Sequence, residues 1–153
     1  MPDIRVARET DIPAMVALAR DMVAESNYAN LPFDEKVTTE TLRKMVRSRT
    51  CGVWLAVDKQ HTMGLIAGQV SRATFSQEVV AEDSVVYVGA DFRGSELAVV
   101  DGMLRAFCLW AAEQGARRIT VSNSAGANDV AYVAKLGRYG FKWAGSVMYL
   151  EVG

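Results

Sequence analysis

Within residues 84–115 the spacing of apolar residues changes from a continuous run to a repeat of three or four positions. This change constrains the fold more than any other feature of the chain. Residues 85–88, VVYV, form a β-branched and aromatic run that is typical of a buried strand. A short loop with two glycines follows. From about Glu96 apolar residues recur every three or four positions, which predicts an amphipathic helix. Gly115 follows the last helical turn, where a glycine C-cap is common. The stretch therefore predicts a strand, a tight turn and a helix.

The turn between this strand and this helix is a candidate anion site. The first turn of a helix has N–H groups without a helical partner, and the helix dipole adds partial positive charge there. Gly94 lets the backbone approach a ligand closely, and Arg93 adds a charged donor. The loop matches neither G-x-x-x-x-G-K-[ST] nor G-x-G-x-x-G, so an ordinary strand-to-helix connection stays open as the alternative.

Composition limits the class of protein. A chain of 153 residues with 50% apolar and 23% charged residues predicts one globular domain, residues 1–153. A net charge of −1 argues against a nucleic-acid partner. Cys51, Cys108 and His61 show no metal-ligand spacing, so no metal site is expected. The sequence shows neither a signal-peptide pattern nor an apolar run of membrane-spanning length, and we expect a cytoplasmic protein without a membrane partner.

The periodicity of the whole chain predicts an α/β domain with a mixed sheet. Strands are predicted at residues 3–8, 52–57, 63–71, 79–88, 117–122 and 147–152. Helices are predicted after residue 11, at 38–49, from about 96, and at 129–139. We expect a mainly antiparallel sheet in which residues 85–88 and 117–122 form a parallel pair, joined by a right-handed crossover. The hairpin at 52–71 and the last strand leave edges that could pair in a homodimer.

The central turn resembles the GCN5-related N-acetyltransferase superfamily, whose motif reads V-x-P-x-x-R-G-x-G-x-G/A. Four positions match it: Val88, Arg93, Gly94 and Ala98. Ala90 replaces the usual proline, and Glu96 replaces the usual second glycine. In the superfamily this loop holds the pyrophosphate of acetyl-CoA. The resemblance therefore implies the acyl-CoA N-acyltransferase fold, acetyl-CoA as co-substrate, and a cofactor-binding loop made of Val88, Gly89, Arg93, Gly94, Ser95, Glu96, Leu97 and Ala98.

The last third of the chain extends the resemblance. In the superfamily a strand ends near a cofactor-binding asparagine, and a helix with the pattern N-x-x-A-x-x-x-Y-x-x-x-G-F follows. The resemblance thus implies that Asn123 and Asn128 contact the cofactor. The tyrosine of that pattern commonly protonates the departing thiolate, and Leu136 stands in its place. Tyr132 lies one turn earlier on the same helix face and is the predicted substitute acid.

Acetyl transfer to an amine needs a base, because an alkylammonium has a pKa near ~10. The superfamily often places a glutamate for this task on the strand before the loop, where Glu82 and Asp83 stand. Adjacent strand residues face opposite sides, so at most one of the two faces the cleft, and both could be ordinary edge charges. The amides around Val88 and Gly89 are candidate oxyanion donors.

Three aromatic residues are candidates for acceptor binding: Tyr28, Phe33 and Tyr87. The first two lie in a polar loop, where they either wall an acceptor pocket or seal the loop over the core. Tyr87 either contacts the acceptor or packs in the core. The predicted function is acetyl-CoA-dependent transfer of an acetyl group to a primary amine of a small molecule or peptide, by direct attack in a ternary complex. The alternative is a catalytically degenerate module of the same fold that binds CoA or another protein, which Glu96 and Leu136 favour.

Overall fold

Five strands and four helices make up the part of the chain that the computed structural model describes, residues 2–122 and 129–153, without the side chains of 94–97 and 129. The strands are β1 (Asp3–Val6), β2 (Cys51–Asp58), β3 (His61–Arg72), β4 (Val79–Val88) and β5 (Ala116–Thr120). The helices are α1 (Ile12–Glu25), α2 (Glu35–Arg47), α3 (Glu96–Glu113) and α4 (Asp129–Arg138). None of these helices combines the length and the apolarity that a bilayer crossing requires.

The strands form one mixed sheet in the order β1-β2-β3-β4-β5. The first three pairings are antiparallel, and β4 pairs with β5 in parallel, which confirms the predicted fold class. The parallel pairing ends at Glu82 and Thr120, although β4 continues to Val88. β5 ends at Thr120, so in the described structure the second half of β4 has no strand partner on this side.

Helices cover both faces of the sheet and create two apolar layers. On one face α3 packs its buried Met103 and Phe107 against Trp54 and Ile66 of the sheet. On the other face α1 and α2 cover a layer that includes Leu55. Successive residues of β2 enter opposite layers because strand side chains alternate, and this period of two made the hairpin predictable.

Two predicted boundaries differ from the structure for local reasons. The helix predicted from residue 38 begins at Glu35, because the Asp34 carboxylate caps it by accepting a hydrogen bond from the Val37 N–H at 2.9 Å. The loop predicted between β4 and α3 contains a 3-10 helix, Ala90–Ser95, which leads directly into α3. Gly115 follows α3 with a φ of +83°, as the C-cap prediction requires.

The predicted strand at residues 147–152 is wrong. No described strand pairs with this segment, and its apolar side chains lie in solvent: Val147 is 96% exposed, Met148 90% and Leu150 86%. Its composition favours an extended backbone, but a strand also needs a neighbour to bond with its N–H and C=O groups. In the described part of the chain the outer edge of β5 has no such neighbour, so β5 is the last strand of the sheet.

Candidate active site

The candidate site lies where β5 ends beside the middle of β4. Asp83 follows the last parallel pair of the two strands, between Glu82 and Thr120. On the other side of β4 the antiparallel pairing skips Ser84, because Ala67 pairs with Val85 while Gly68 pairs with Asp83. This bulge shifts the alternation of β4 just beside the cleft.

Asp83 and Glu82 have different environments, as their alternation on the strand predicts. Asp83 Oδ1 accepts hydrogen bonds from the backbone N–H of Ser122 at 2.9 Å and from its hydroxyl at 3.2 Å. Asp83 Oδ2 is buried and has no hydrogen-bond partner. Loss of water around the carboxyl group raises the pKa of Asp83 to about 6, although the Ser122 hydrogen bonds oppose this shift. Glu82 is exposed, so Asp83 alone of this pair is enclosed at the cleft.

Tyr132 supplies a second buried polar group that no described residue satisfies. Its hydroxyl is buried without a hydrogen-bond partner, while its ring packs against the α3 layer. Burial raises the pKa of Tyr132, and the negative charge of Asp83 raises it further. Among the described residues, the Asp83 carboxyl oxygen and the Tyr132 hydroxyl are the two buried side-chain polar atoms without a hydrogen-bond partner.

Helix α4 is held in place by contacts on its other residues. Lys135 of α4 forms an ion pair with Asp101 of α3, with 2.8 Å between the Nζ and Oδ1 atoms. The Tyr139 hydroxyl donates a hydrogen bond to the same carboxylate, and this bond raises the pKa of Tyr139 to about 12. Leu136, at the position where the resembled pattern has its tyrosine, is buried in the α3 layer. These contacts fix the helix that carries Tyr132.

A second cluster joins the end of α1 to β4 and to the turn before α3. The Tyr87 hydroxyl donates a hydrogen bond to Glu25 Oε1, and Arg93 Nη2 lies 2.5 Å from the same oxygen. The Arg93 guanidinium also lies 5.9 Å from the centroid of the Tyr87 ring. The Arg93 hydrogen bond holds the pKa of Glu25 below its usual range, whereas burial and then the Glu25 carboxylate raise the pKa of Tyr87.

Sequence reasoning missed Glu25 and Ser122. Glu25 lies 62 residues before Tyr87, in a helix whose end shows no motif, and only the folded sheet brings them together. Ser122 is the last residue of the predicted strand 117–122, so its place beside β4 follows from the parallel pairing. The hydrogen bonds that it donates to Asp83 depend on side-chain positions that no local pattern encodes.

The predicted acceptor residues separate into two environments. Tyr28 lies in the loop after α1 and is 48% exposed. Phe33 is half-buried against the layer under α1 and α2, and the Arg20 guanidinium lies 5.2 Å from its ring centroid. Tyr87 is buried in the same layer, with its hydroxyl on Glu25. Phe33 thus seals its loop over the core, and Tyr28 is the more accessible of the two loop aromatics.

Part of the backbone before α3 already forms hydrogen bonds within the sheet. Val88 is buried, and the N–H of Gly89 donates to the Met63 carbonyl at 2.8 Å. Of the amides around Val88 and Gly89 that are candidate oxyanion donors, the Gly89 amide is therefore already used by the sheet. Ala98 lies exposed in the first turn of α3. Some predicted positions lie outside what the structure describes: the side chains of Ser95, Glu96 and Leu97, and residues Asn123 and Asn128.

Solved structures match this architecture over nearly the whole chain, whereas no family model and no curated protein sequence matches it significantly. An aminoglycoside acetyltransferase from an uncultured soil metagenomic sample, in complex with sisomicin, has a TM-score of 0.74 at 16% identity; the match covers 99% of this chain and 97% of that one. AAC(6')-Iy, in complex with the bisubstrate analogue CoA-S-monomethyl-acetylneamine, has a TM-score of 0.77 at 14% identity, with coverages of 100% and 99%. The chain has the fold of the GCN5-related N-acetyltransferases.

The same fold also occurs in a protein described by another role. A transcriptional regulator from Bacillus halodurans has a TM-score of 0.78 at 15% identity, with coverages of 99% and 100%. At these identities the likeness shows the fold alone. An argument for function must therefore come from the chemistry of the residues in the cleft.

Proposed function

We propose that this protein transfers the acetyl group of acetyl-CoA to a primary amine of a small molecule or peptide, by direct attack in a ternary complex. The observation that carries the proposal is that Asp83 Oδ2, beside the end of β5, and the Tyr132 hydroxyl are buried and have no hydrogen-bond partner among the described residues. Buried polar atoms that only stabilise a fold usually have such a partner. Solved acetyltransferases share this fold, which supports the proposal.

Asp83 is the proposed general base. A pKa of about 6 leaves it ionised at neutral pH, and it makes Asp83 a stronger base than an ordinary carboxylate. Its Oδ2 atom would accept the proton that the acceptor ammonium must lose before its nitrogen can attack. The Ser122 hydrogen bonds hold Oδ1 and leave Oδ2 as the oxygen that would accept this proton.

Tyr132 is the proposed general acid. Its raised pKa keeps the hydroxyl protonated at neutral pH, so the proton is available for the sulfur that departs. The sulfur would take this proton as the carbon–sulfur bond breaks, and the second proton of the attacking nitrogen would restore the Tyr132 hydroxyl. The complete reaction forms an amide, releases the thiol and frees one proton from the ammonium.

Acetyl-CoA supplies the activated acetyl group as a thioester. Arg93 and the backbone at the start of α3 are the proposed contacts of its diphosphate, because a guanidinium and helix N–H groups both bind phosphate oxygens. Asn123 and Asn128 remain proposed contacts by resemblance. Glu25 and Tyr87 are the proposed contacts of the acceptor, since the Glu25 carboxylate would bind a cationic amine in exchange for its contact with Arg93. Tyr28, exposed in the loop after α1, is a further proposed acceptor contact.

The test combines binding and turnover. Isothermal titration measures acetyl-CoA binding, and thiol release measures transfer to a panel of amines that begins with aminoglycosides, the ligand class of one structural neighbour. We expect the Asp83→Asn variant to bind acetyl-CoA normally and to lose at least ~10²-fold in kcat/KM. Asp58→Asn, the same change at an exposed strand end, serves as the control and should keep full activity.

The second candidate is a degenerate module that binds CoA weakly or not at all. The ion pair of Arg93 with Glu25 favours it, because that contact neutralises the charge of the proposed phosphate ligand. Glu96 at the position of the second motif glycine and Leu136 at the tyrosine position favour it as well. No binding heat at high micromolar acetyl-CoA, together with no thiol release, would reject catalysis and support this candidate.

A further inference from the structure

The loop between α1 and α2 displays apolar side chains beside the proposed acceptor contacts. In the described structure before residue 130, six large apolar residues are exposed, and three of them lie between positions 28 and 37: Tyr28, Leu31 and Val37. Tyr28 and Leu31 lie three and six residues after Glu25, the last residue of α1. Single exposed apolar residues are common on protein surfaces, but a concentration in one loop indicates a contact surface.

Hydrogen bonds hold the backbone of this loop in successive turns. The buried Ser26 hydroxyl donates to the Val23 carbonyl at 3.0 Å and accepts from the Tyr28 N–H at 3.1 Å. The Leu31 N–H donates to the Tyr28 carbonyl at 2.9 Å. An ordered backbone therefore presents Tyr28 and Leu31 to solvent, so a ligand that contacts them need not order the loop first.

The charges beside the loop match one ammonium group. Burial raises the pKa of Tyr87, and the carboxylates of Glu25 and of Asp21, one turn earlier on α1, raise it further. Both carboxylates therefore act on the same end of the cleft, where Arg93 lies against Glu25. The formal charges of Asp21, Glu25 and Arg93 sum to −1, which a single ammonium group would balance.

We propose that the acceptor is a monoamine with an apolar body, such as an arylalkylamine, and that Tyr28 and Leu31 bind this body. The inference rests on the proposed acetyl transfer and names the class of its acceptor. Glu25 attracts the ammonium group, and the apolar part lies on the two side chains that follow it along the loop. Each methylene removed from water should raise the affinity about threefold, and the Tyr28 ring offers a face to an aromatic acceptor.

The loop favours this class over a polycationic sugar. A polycation would need further carboxylates, but Glu35 already pairs with Arg20, with 2.6 Å between the charged atoms, and the Asp34 carboxylate caps α2. A sugar would instead use the amides of Asn27 and Asn30, which are exposed in the same loop. Substitutions of the apolar and of the amide side chains therefore distinguish the two classes.

The test measures thiol release at saturating acetyl-CoA with ethylamine, butylamine, hexylamine, phenethylamine and the amino sugar kanamycin. We expect kcat/KM to rise at least ~10-fold from ethylamine to hexylamine, and to be higher for phenethylamine than for kanamycin. Tyr28→Ser and Leu31→Ser should each lower kcat/KM for phenethylamine at least ~3-fold, through KM, and leave ethylamine unchanged. Asn30→Ser, in the same loop, and Phe75→Ser, at an exposed aromatic of another loop, are the matched controls and should change neither value.

The outcomes separate this inference from the proposed function. Equal rates for ethylamine and phenethylamine, a preference for kanamycin, or serine variants with native specificity would overturn the inference and leave acetyl transfer standing. If no amine releases thiol, the proposed function fails, and equilibrium dialysis of phenethylamine in the presence of CoA decides the inference. Binding that Tyr28→Ser weakens supports an apolar amine site without catalysis, whereas binding no tighter than that of ethylamine overturns it.

Discussion

Replacing Asp83 with asparagine removes the proposed base, and it should also change how the stability of the protein depends on pH. The stability of the variant relative to the native protein should be higher at neutral pH than at acid pH. The cause is the burial that raises the pKa of this carboxyl group from 3.8 to about 6. A carboxylate that is hard to ionise in the folded state binds its proton more tightly there than in the unfolded chain. Stability is therefore lost as the pH rises from about 4 to about 6, because the folded state holds more protons over that range.

The size of the effect follows from the shift. A rise from 3.8 to about 6 is roughly 2 units, and at about 1.4 kcal/mol per unit it corresponds to about 3 kcal/mol of unfolding free energy. Asp83 keeps some contact with solvent, which screens part of this cost, so we expect about 2 kcal/mol. Asparagine keeps an acceptor for Ser122 but leaves an unsatisfied N–H group, and this penalty of about 1–2 kcal/mol is the same at every pH.

Urea unfolding at pH 4 and at pH 7.5, followed by tryptophan fluorescence, measures the effect. The free energy of Asp83→Asn minus that of the native protein should rise by about 2 kcal/mol between the two conditions. The control Asp58→Asn, at an exposed position, should show a difference that changes by less than about 0.5 kcal/mol.

A difference between Asp83→Asn and the native protein that does not change with pH would refute the reasoning. It would show that the Asp83 carboxyl group is solvated and is no more basic than an ordinary aspartate. The pH profile of kcat/KM checks the same point by activity, because its acid limb should lie near pH 6 if Asp83 is the base.

Three further predictions test the site and the packing beside it. Tyr132→Phe should lower kcat by about 10²-fold or more while unfolding stability stays equal or rises, since the lost hydroxyl is buried and unsatisfied; thiol release and urea unfolding measure the two effects. Glu25→Gln should raise the KM for a cationic amine by about tenfold, through the loss of a charge-assisted contact of ~1.4 kcal/mol, and an unchanged KM would remove Glu25 from the acceptor site. Gly68→Ala should destabilise the fold by about 2–3 kcal/mol in urea, because the new Cβ would lie 2.5 Å from a ring carbon of Phe107; Gly137→Ala, with open space around it, should be neutral or stabilising.

The sheet and its helices could be predicted from the sequence wherever the spacing of apolar residues matches the buried faces of the element. β2 and β3 alternate between two buried layers, and α3 presents one apolar stripe, so their patterns match their environments. The parallel pairing of β4 and β5 followed from the helix between them, since a crossover helix forces that direction. Asp83 and Tyr132 were candidates by position, but their unsatisfied atoms depend on packing that only the folded chain reveals.

Residues 147–152 show why a local pattern alone does not make a strand. Their apolar and β-branched composition fits a strand, yet the segment lies in solvent, and no strand in the described part of the chain bonds with its backbone. Strand formation is a property of a pair, and the partner edge can belong to the same chain or to another copy. A sequence pattern gives the strand propensity of one segment, but it does not show which strand edge that segment pairs with.

Arg93 shows why a motif residue does not by itself assign ligand binding. The motif marks it as a phosphate contact, but in the fold its guanidinium lies against the Glu25 carboxylate, which Tyr87 also contacts. A diphosphate at the start of α3 must share Arg93 with Glu25, and a cationic acceptor must share Glu25 with Arg93. One ion pair thus connects the proposed cofactor contact, Arg93, with the proposed acceptor contact, Glu25. A ligand that binds either residue weakens the ion pair between them. Because the contact links residues 68 positions apart, this coupling belongs to the folded chain and to no single motif.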